Sequence, residues 1–259
     1  MKTVWITALS QNQPRVAAVT AQLKRYGLQC QGHFWVDAAD KVGWRVALTA
    51  LQNARADLWL ILADEAEMTK PGVRYGLSLM AAALRQARGA AFPIVLLWNA
   101  AAPASPALPP LLQGALNLEE AASSWQAKIV ARANLAGKAA AAEYRLDVLG
   151  DERLGQWFEI GPRSGSWNGV VFGVAGAEAE IDFQATGPHG NLPEKTVLEY
   201  AQQGLQLQAG EYQFNAWAVR NQIDADSSYF ARVKGCPQAI LFMPYAEGSE
   251  AEATVIRLA

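Results

Sequence analysis

Chemistry-bearing side chains are scarce in this sequence. It has two cysteines, Cys30 and Cys236, and two histidines, His33 and His189. The cysteines stand near opposite ends of the chain, too few and too far apart for a disulfide framework. Each reads as a small buried hydrophobe, a usage that suits a reducing cytosol and predicts a cytoplasmic protein. Neither histidine has a cysteine or another histidine at metal-ligand spacing, so no metal site is expected. No apolar run approaches the roughly 18 residues of a membrane span. The N-terminal MKTVWITALSQNQ lacks the apolar region and cleavage site of a signal peptide and reads as a first strand. SQNQP, after that strand, has no glycine, which disfavours a dinucleotide or P-loop phosphate cradle; no cofactor is called for. Ser78 and Ser164 lack a nearby histidine, and Gly165-Ser166-Trp167 is no nucleophile elbow. Net charge is only −2, and the basic residues are scattered without an aromatic stripe, so nucleic acid is not an expected partner.

What the chain does have is apolar mass. Hydrophobic residues make up 51%, enough for a real core and too much for disorder. The pattern changes character near LAGKAAAAEY, which predicts two domains, 1–138 and 139–259. Charge changes with it. The first part holds 14 Lys/Arg against 8 Asp/Glu, the second 8 against 16. Either this serves solubility alone, or the oppositely charged halves face each other within a chain or across a dimer.

Strand and helix patterns alternate in the first part. Strands are expected at 2–9, 28–36, 57–63 and 92–98, with a weaker fifth at 114–118. Helices are expected at 13–27, where Val16, Val19, Leu23 and Tyr26 share a face and Gly27 ends the run, and at 41–55, with Trp44, Leu48 and Leu51. A third is expected at 72–88, with Leu77, Met80 and Leu84 buried, and a fourth through SSWQAKIVARANLA. DLWLILA offers no polar face, as a central parallel strand should not. Alternation of this kind implies βαβ units and a parallel sheet covered on both sides. The second part shows no helical period. EAEIDFQAT places Ile181 and Phe183 on one face, EYQFNAWAV alternates from Tyr212, and SYFARV, QAILFM and ATVIRL continue the style. Eight to ten short strands with regular turns predict a β-sandwich or jelly roll.

Several segments of the first part resemble, in order, the TIR domain in its bacterial, flavodoxin-like form. VWITALS is similar to its first strand and following loop, LKRYGLQC to the first helix entering the second strand, and WVDAADKVGW to the loop carrying an Asp and a Gly before the next helix. ALQNARADLWLILADE resembles the approach to the third strand and the αC region. The resemblance covers about half of the chain. It implies either an assembly module, which self-associates through the loop after the second strand, or an NAD hydrolase using a Glu on αC. MTKPGVRYGLSL has no such Glu, and its expected place falls near Tyr75-Gly76. The nearest acids, Asp64, Glu65 and Glu67, lie before the helix and do not simply inherit the role, because acid-base work depends on reach and alignment.

In an open parallel sheet the ligand crevice lies beyond the carboxyl ends of the strands, at the switch point. Ser10, Asn12, Asp37, Asp64, Glu65 and Asn99 arrive there. They bind a nucleotide-like or other small polar ligand, or they cap helices and close turns. Arg74 stands near a helix start, where its charge opposes the dipole; it binds an anion, pairs with Asp64 or Glu67, or is a surface cation. Asp37, Asp40, Gly43 and Trp44 mark the loop expected to carry self-association or a protein partner. Trp157, Trp167 and Trp217 either stack on a carbohydrate or other ligand of the second domain or fill its core. The leading expectation is a non-catalytic interaction or ligand-sensing protein. The alternatives are an NAD-consuming or nucleotide-processing enzyme with a displaced acid, and a ligand-recognition β-domain.

Overall fold

Leu58–Ala63 reads LWLILA, and in the computed structural model of this chain every one of its residues is buried. The structure describes residues 1–38, 41–100, 108–135, 142–246 and 251–259. The chain divides into two compact units, the first built on a parallel sheet and the second on antiparallel sheets.

The first unit runs β1 (Thr3–Ala8), α1 (Gln13–Arg25), β2 (Gln29–Phe34), α2 (Trp44–Asn53), β3 (Leu58–Ala63), α3 (Glu65–Met68), α4 (Pro71–Arg88), β4 (Ile94–Trp98), β5 (Leu116–Glu119) and α5 (Trp125–Asn134). Its five strands lie in the order β2-β1-β3-β4-β5, all parallel, with β3 central. This is the flavodoxin-like order, and its switch point falls between β1 and β3. Alternate strand residues Val4, Ile6, Leu58, Leu60, Val95 and Leu97 pack on Val19 and Leu23 of α1 and Ile129 of α5. On the opposite face Trp5, Trp59 and Trp98 are buried, and the Trp59 indole N–H donates to Thr7 Oγ1 at 2.8 Å. Helix α4 is buried nearly all round; α2 and the 3-10 turn at Pro110–Leu112 pack against it, and Gly76 faces Trp44 of α2.

One local expectation changes here, the start of α2, and the acids after β3 begin a further short helix. Asp64, in extended backbone, accepts from the N–H groups of Ala66 and Glu67 and so starts the short α3. Helix α2 starts at Trp44 rather than at residue 41.

The second unit contains, among the described residues, strands only. They are β6 (Tyr144–Asp151), β7 (Gly155–Pro162), β8 (Ser166–Trp167), β9 (Val170–Ala175), β10 (Glu180–Pro188), β11 (Gln202–Ala209), β12 (Tyr212–Val219), β13 (Ile223–Asp224), β14 (Ser227–Lys234), β15 (Ala239–Pro244) and β16 (Thr254–Arg257). One sheet is β10-β14-β7-β6, another β11-β12-β9-β15-β16, with β13 and β8 as a separate pair. Phe158 on β7 and Tyr229 on β14 meet Phe172 on β9 at 5.6 and 6.3 Å between ring centroids, so side chains of the two larger sheets share a core. Burial holds the Tyr229 phenol well above its usual range, and its O–H donates to Gln184 Oε1 at 2.9 Å.

Strict alternation fails in β10. A bulge between Ile181 and Phe183 puts them in different environments: Ile181 is buried while Phe183 is 45% exposed beside Trp157. The extra residue rotates the chain and cancels the shared face expected from sequence. Neither cysteine is in a disulfide; Cys30 is half-buried and Cys236 exposed, so the expectation of two buried cysteines fails for Cys236.

Candidate functional sites

At the carboxyl edge of the parallel sheet, the loop after β1 leads into α1. Asn12 caps that helix, its side-chain oxygen accepting from the Arg15 backbone N–H at 3.1 Å. The cap fixes Arg15 in the first turn, aimed back over the strand ends. Its guanidinium donates to the carbonyl of Ala63 at the end of β3 (3.2 Å), to the carbonyl of Leu97 in β4 (2.9 Å), and to Glu120 just beyond β5 (2.6 Å). Only 8% of the Arg15 side chain is exposed. The ends of three neighbouring strands are therefore bridged by a cation from the chain itself, and carbonyls that a ligand would otherwise meet are already hydrogen-bonded. Arg15 was not among the sequence candidates. The signal was present, because a cation in a helix's first turn opposes the dipole and needs compensation elsewhere.

The predicted polar residues divide by task. Asn12 and Asp64 are helix caps. Ser10 contributes its carbonyl to the Asn12 N–H. Glu65, Asp37 and Asn99 are exposed, and Arg74 is half-buried in the first turn of α4. Glu67 receives both its short contacts from Lys70 at 2.8 Å, one turn away. Among the loop residues, Gly43 precedes α2, while the Trp44 side chain is fully buried rather than displayed. Asp40 lies outside the described residues. The structure thus gathers Asn12 and Arg15 at the strand ends, while Asp37, Asp64 and Glu67 all act on the Lys70 ammonium, Glu67 first, and hold its pKa above the usual value.

Near Tyr75-Gly76, where the family resemblance implies a Glu, the helix is roofed by an indole. A Cβ built on Gly76 would lie 2.7 Å from the Trp35 ring and 3.2 Å from Trp44. No side chain fits there without moving Trp35, which is itself buried. Trp35 leaves β2 with its backbone N–H donating to the Ala8 carbonyl, and this directs the ring onto α4.

Each histidine has a side-chain partner within its own unit. The Trp5 indole N–H donates to His33 Nδ1 at 3.0 Å, and burial pushes the His33 pKa down to about 4. His189 Nδ1 lies 2.7 Å from Glu159 Oε1, which also accepts from the Gly190 backbone N–H. Glu159 sits on β7 and its side chain is 2% exposed, so the pair pins the 189–190 turn to the sheet. No group of three metal-ligating side chains occurs among the described residues.

The second unit has an open cleft of about 380 Å³ at the strand edge formed by β6, β15 and β16. Tyr144, Phe242 and Thr254 reach it from those strands, and Trp167 closes one side; Glu143 and Glu252 stand at the rim, both exposed. The Tyr144 and Phe242 rings meet edge to face, 4.8 Å between centroids. Trp167 is held by the short β8 pairing with Ile223 and by the turn at Gly169. That glycine has φ +131°, and a Cβ there would meet the Val219 carbonyl and the Tyr245 side chain. Trp167 was legible as a candidate; Tyr144 and Phe242 were not, since nothing local in sequence marks an aromatic at a sheet edge. No protein-family model matches the chain, and no curated protein matches it.

Proposed function

We propose that this chain is a non-catalytic small-ligand recognition protein, in which a TIR-like scaffold precedes a β-sandwich bearing the ligand pocket. The observation that carries this reading is the cleft lined by Tyr144, Trp167 and Phe242, concave, largely apolar and with a few polar groups at its rim. The flavodoxin-like strand order is compatible with a TIR-like unit, and the ring contacts between the two antiparallel sheets favour a sandwich. Catalysis at the parallel sheet is disfavoured by Arg15 across the strand ends and by Trp35 over Gly76. The direct test follows the Trp167 indole N–H by NMR while classes of small molecules are titrated, with nicotinamide release from NAD measured in parallel. Saturable movement of that signal without NAD turnover supports the reading. NAD turnover that is lost in Asp64→Ala or Glu67→Ala overturns it.

A second reading, association through the first unit, is favoured by Val36 and Val46, which flank the predicted interaction loop and are 64% and 76% exposed. Sedimentation over a range of concentrations tests it. Self-association abolished by Val36→Ser with Val46→Ser supports it, and a monomer throughout counts against self-association.

A further inference from the structure

We infer that the cleft between β6, β15 and β16 takes a small organic cation, an alkylammonium group seated against Tyr144, Trp167 and Phe242 beneath the carboxylates of Glu143 and Glu252. The inference rests on the reading of this cleft as the ligand site and names its chemistry. The described lining contains two carboxylates and no lysine, arginine or histidine. Such a rim repels anions, which sets aside phosphate-bearing ligands and carboxylic acids. Aromatic faces carry the negative end of the ring quadrupole, so a cation close to them is attracted even where it sheds water. An alkylammonium group matches both features: its alkyl surface suits Phe242, Met243 and Pro244, and its charge suits the rings and the rim.

Placement of the acids fits this division. Glu143 and Glu252 are exposed, so their side chains stay in contact with water and carry no burial penalty. Among the described residues neither carboxylate is engaged in an ion pair. Arg163 directs its side chain to the Ala142 carbonyl at 2.8 Å, and its backbone N–H donates to the Glu143 backbone carbonyl.

The experiment uses the full chain, with choline as the cationic probe and 3,3-dimethylbutanol as its neutral isostere. The Trp167 indole signal, assigned by its loss in Trp167→Phe, is followed in both titrations, and the other tryptophan signals report that the fold persists. Choline is expected to move the signal saturably. The neutral isostere is expected to bind about tenfold more weakly. Glu143→Gln with Glu252→Gln is expected to weaken choline about fivefold, and added salt to weaken it further. If the isostere binds as well as choline, or the double variant binds choline unchanged, the cation assignment is overturned while the cleft stands as a ligand site. If choline, the isostere and a glucose oligosaccharide all leave Trp167 unmoved, the pocket reading falls and this inference with it.

Discussion

At the carboxyl edge of the parallel sheet, Arg15 lies across the ends of β3 and β4 and reaches Glu120. At the β6–β16 edge of the second unit, Tyr144, Trp167 and Phe242 line a cleft. The first is where a fold of this order conventionally binds ligands, yet it is consolidated by part-buried hydrogen bonds. The second has no special status in its fold, yet it presents concave aromatic surface. Substitutions in the first region should therefore act mainly on stability, and those in the second mainly on binding. A site that contributes strongly to stability is poorly placed to exchange ligands, because its polar groups are already satisfied.

The largest expected effect tests the first region at Gly76. Gly76→Glu introduces an acid at the position that the family resemblance implies, but the side chain must displace Trp35. A loss of about 3 kcal/mol or more in urea unfolding is expected, with no NAD turnover gained. A stable, active variant would break the comparison.

Arg15→Leu comes next. It leaves the partly buried Glu120 and two strand-end carbonyls without their donor, and about 2–3 kcal/mol should be lost. Adding Glu120→Gln should recover part of that loss in a double-mutant cycle; simple additivity would mean that the pair is not coupled.

The pH dependence sharpens the same contrast. Folded His33 resists protonation until about pH 4, whereas the unfolded side chain takes its proton near 6.5. The unfolded state therefore binds more protons in this window. Stability from the neutral, buried imidazole is complete above pH 6.5 and declines as pH falls towards 4, by on the order of 1–3 kcal/mol. Asp57 acts in the same direction. Burial opposes its ionisation, but hydrogen bonds from Lys2 and the Thr3 N–H hold its carboxyl below the usual value, so its contribution is lost on acidification. Denaturation from pH 7 to 4 should show this slope, and His33→Phe should flatten it.

The smallest stability effect is expected at Trp167. The half-buried ring lines the open cleft, and Trp167→Ala should cost about 1 kcal/mol or less while abolishing ligand-dependent changes there. A large destabilisation would make Trp167 a core residue and erase the difference between the two regions.

Much of the fold was legible because the signals were local. LWLILA marks a strand buried on both faces, and the 3.6-residue spacing of Leu77, Met80 and Leu84 marks a helix. The alternation from Tyr212 through Ala218 marks a strand with one apolar face. The bulge after Ile181 was not legible, since a single extra residue leaves composition unchanged while turning Phe183 to a different environment. Of the candidate site, Asn12 and Asp64 were recognisable as residues that bind or cap, and Trp167 as one that stacks or packs. Which alternative held depended on partners that no local window contains.

By itself, then, the sequence determined the order and type of most elements, the parallel character of the first unit and the scarcity of metal-binding or nucleophilic groups. Periodicity, turn residues and composition act over a few residues and are written directly in the chain. Tertiary structure alone decided that Arg15 would meet Glu120 across 105 positions, that Trp35 would cover Gly76, and that Tyr144 would stand beside Phe242. Hydrogen-bond satisfaction, steric room and concavity depend on distance in space, and only the closed chain brings those groups together.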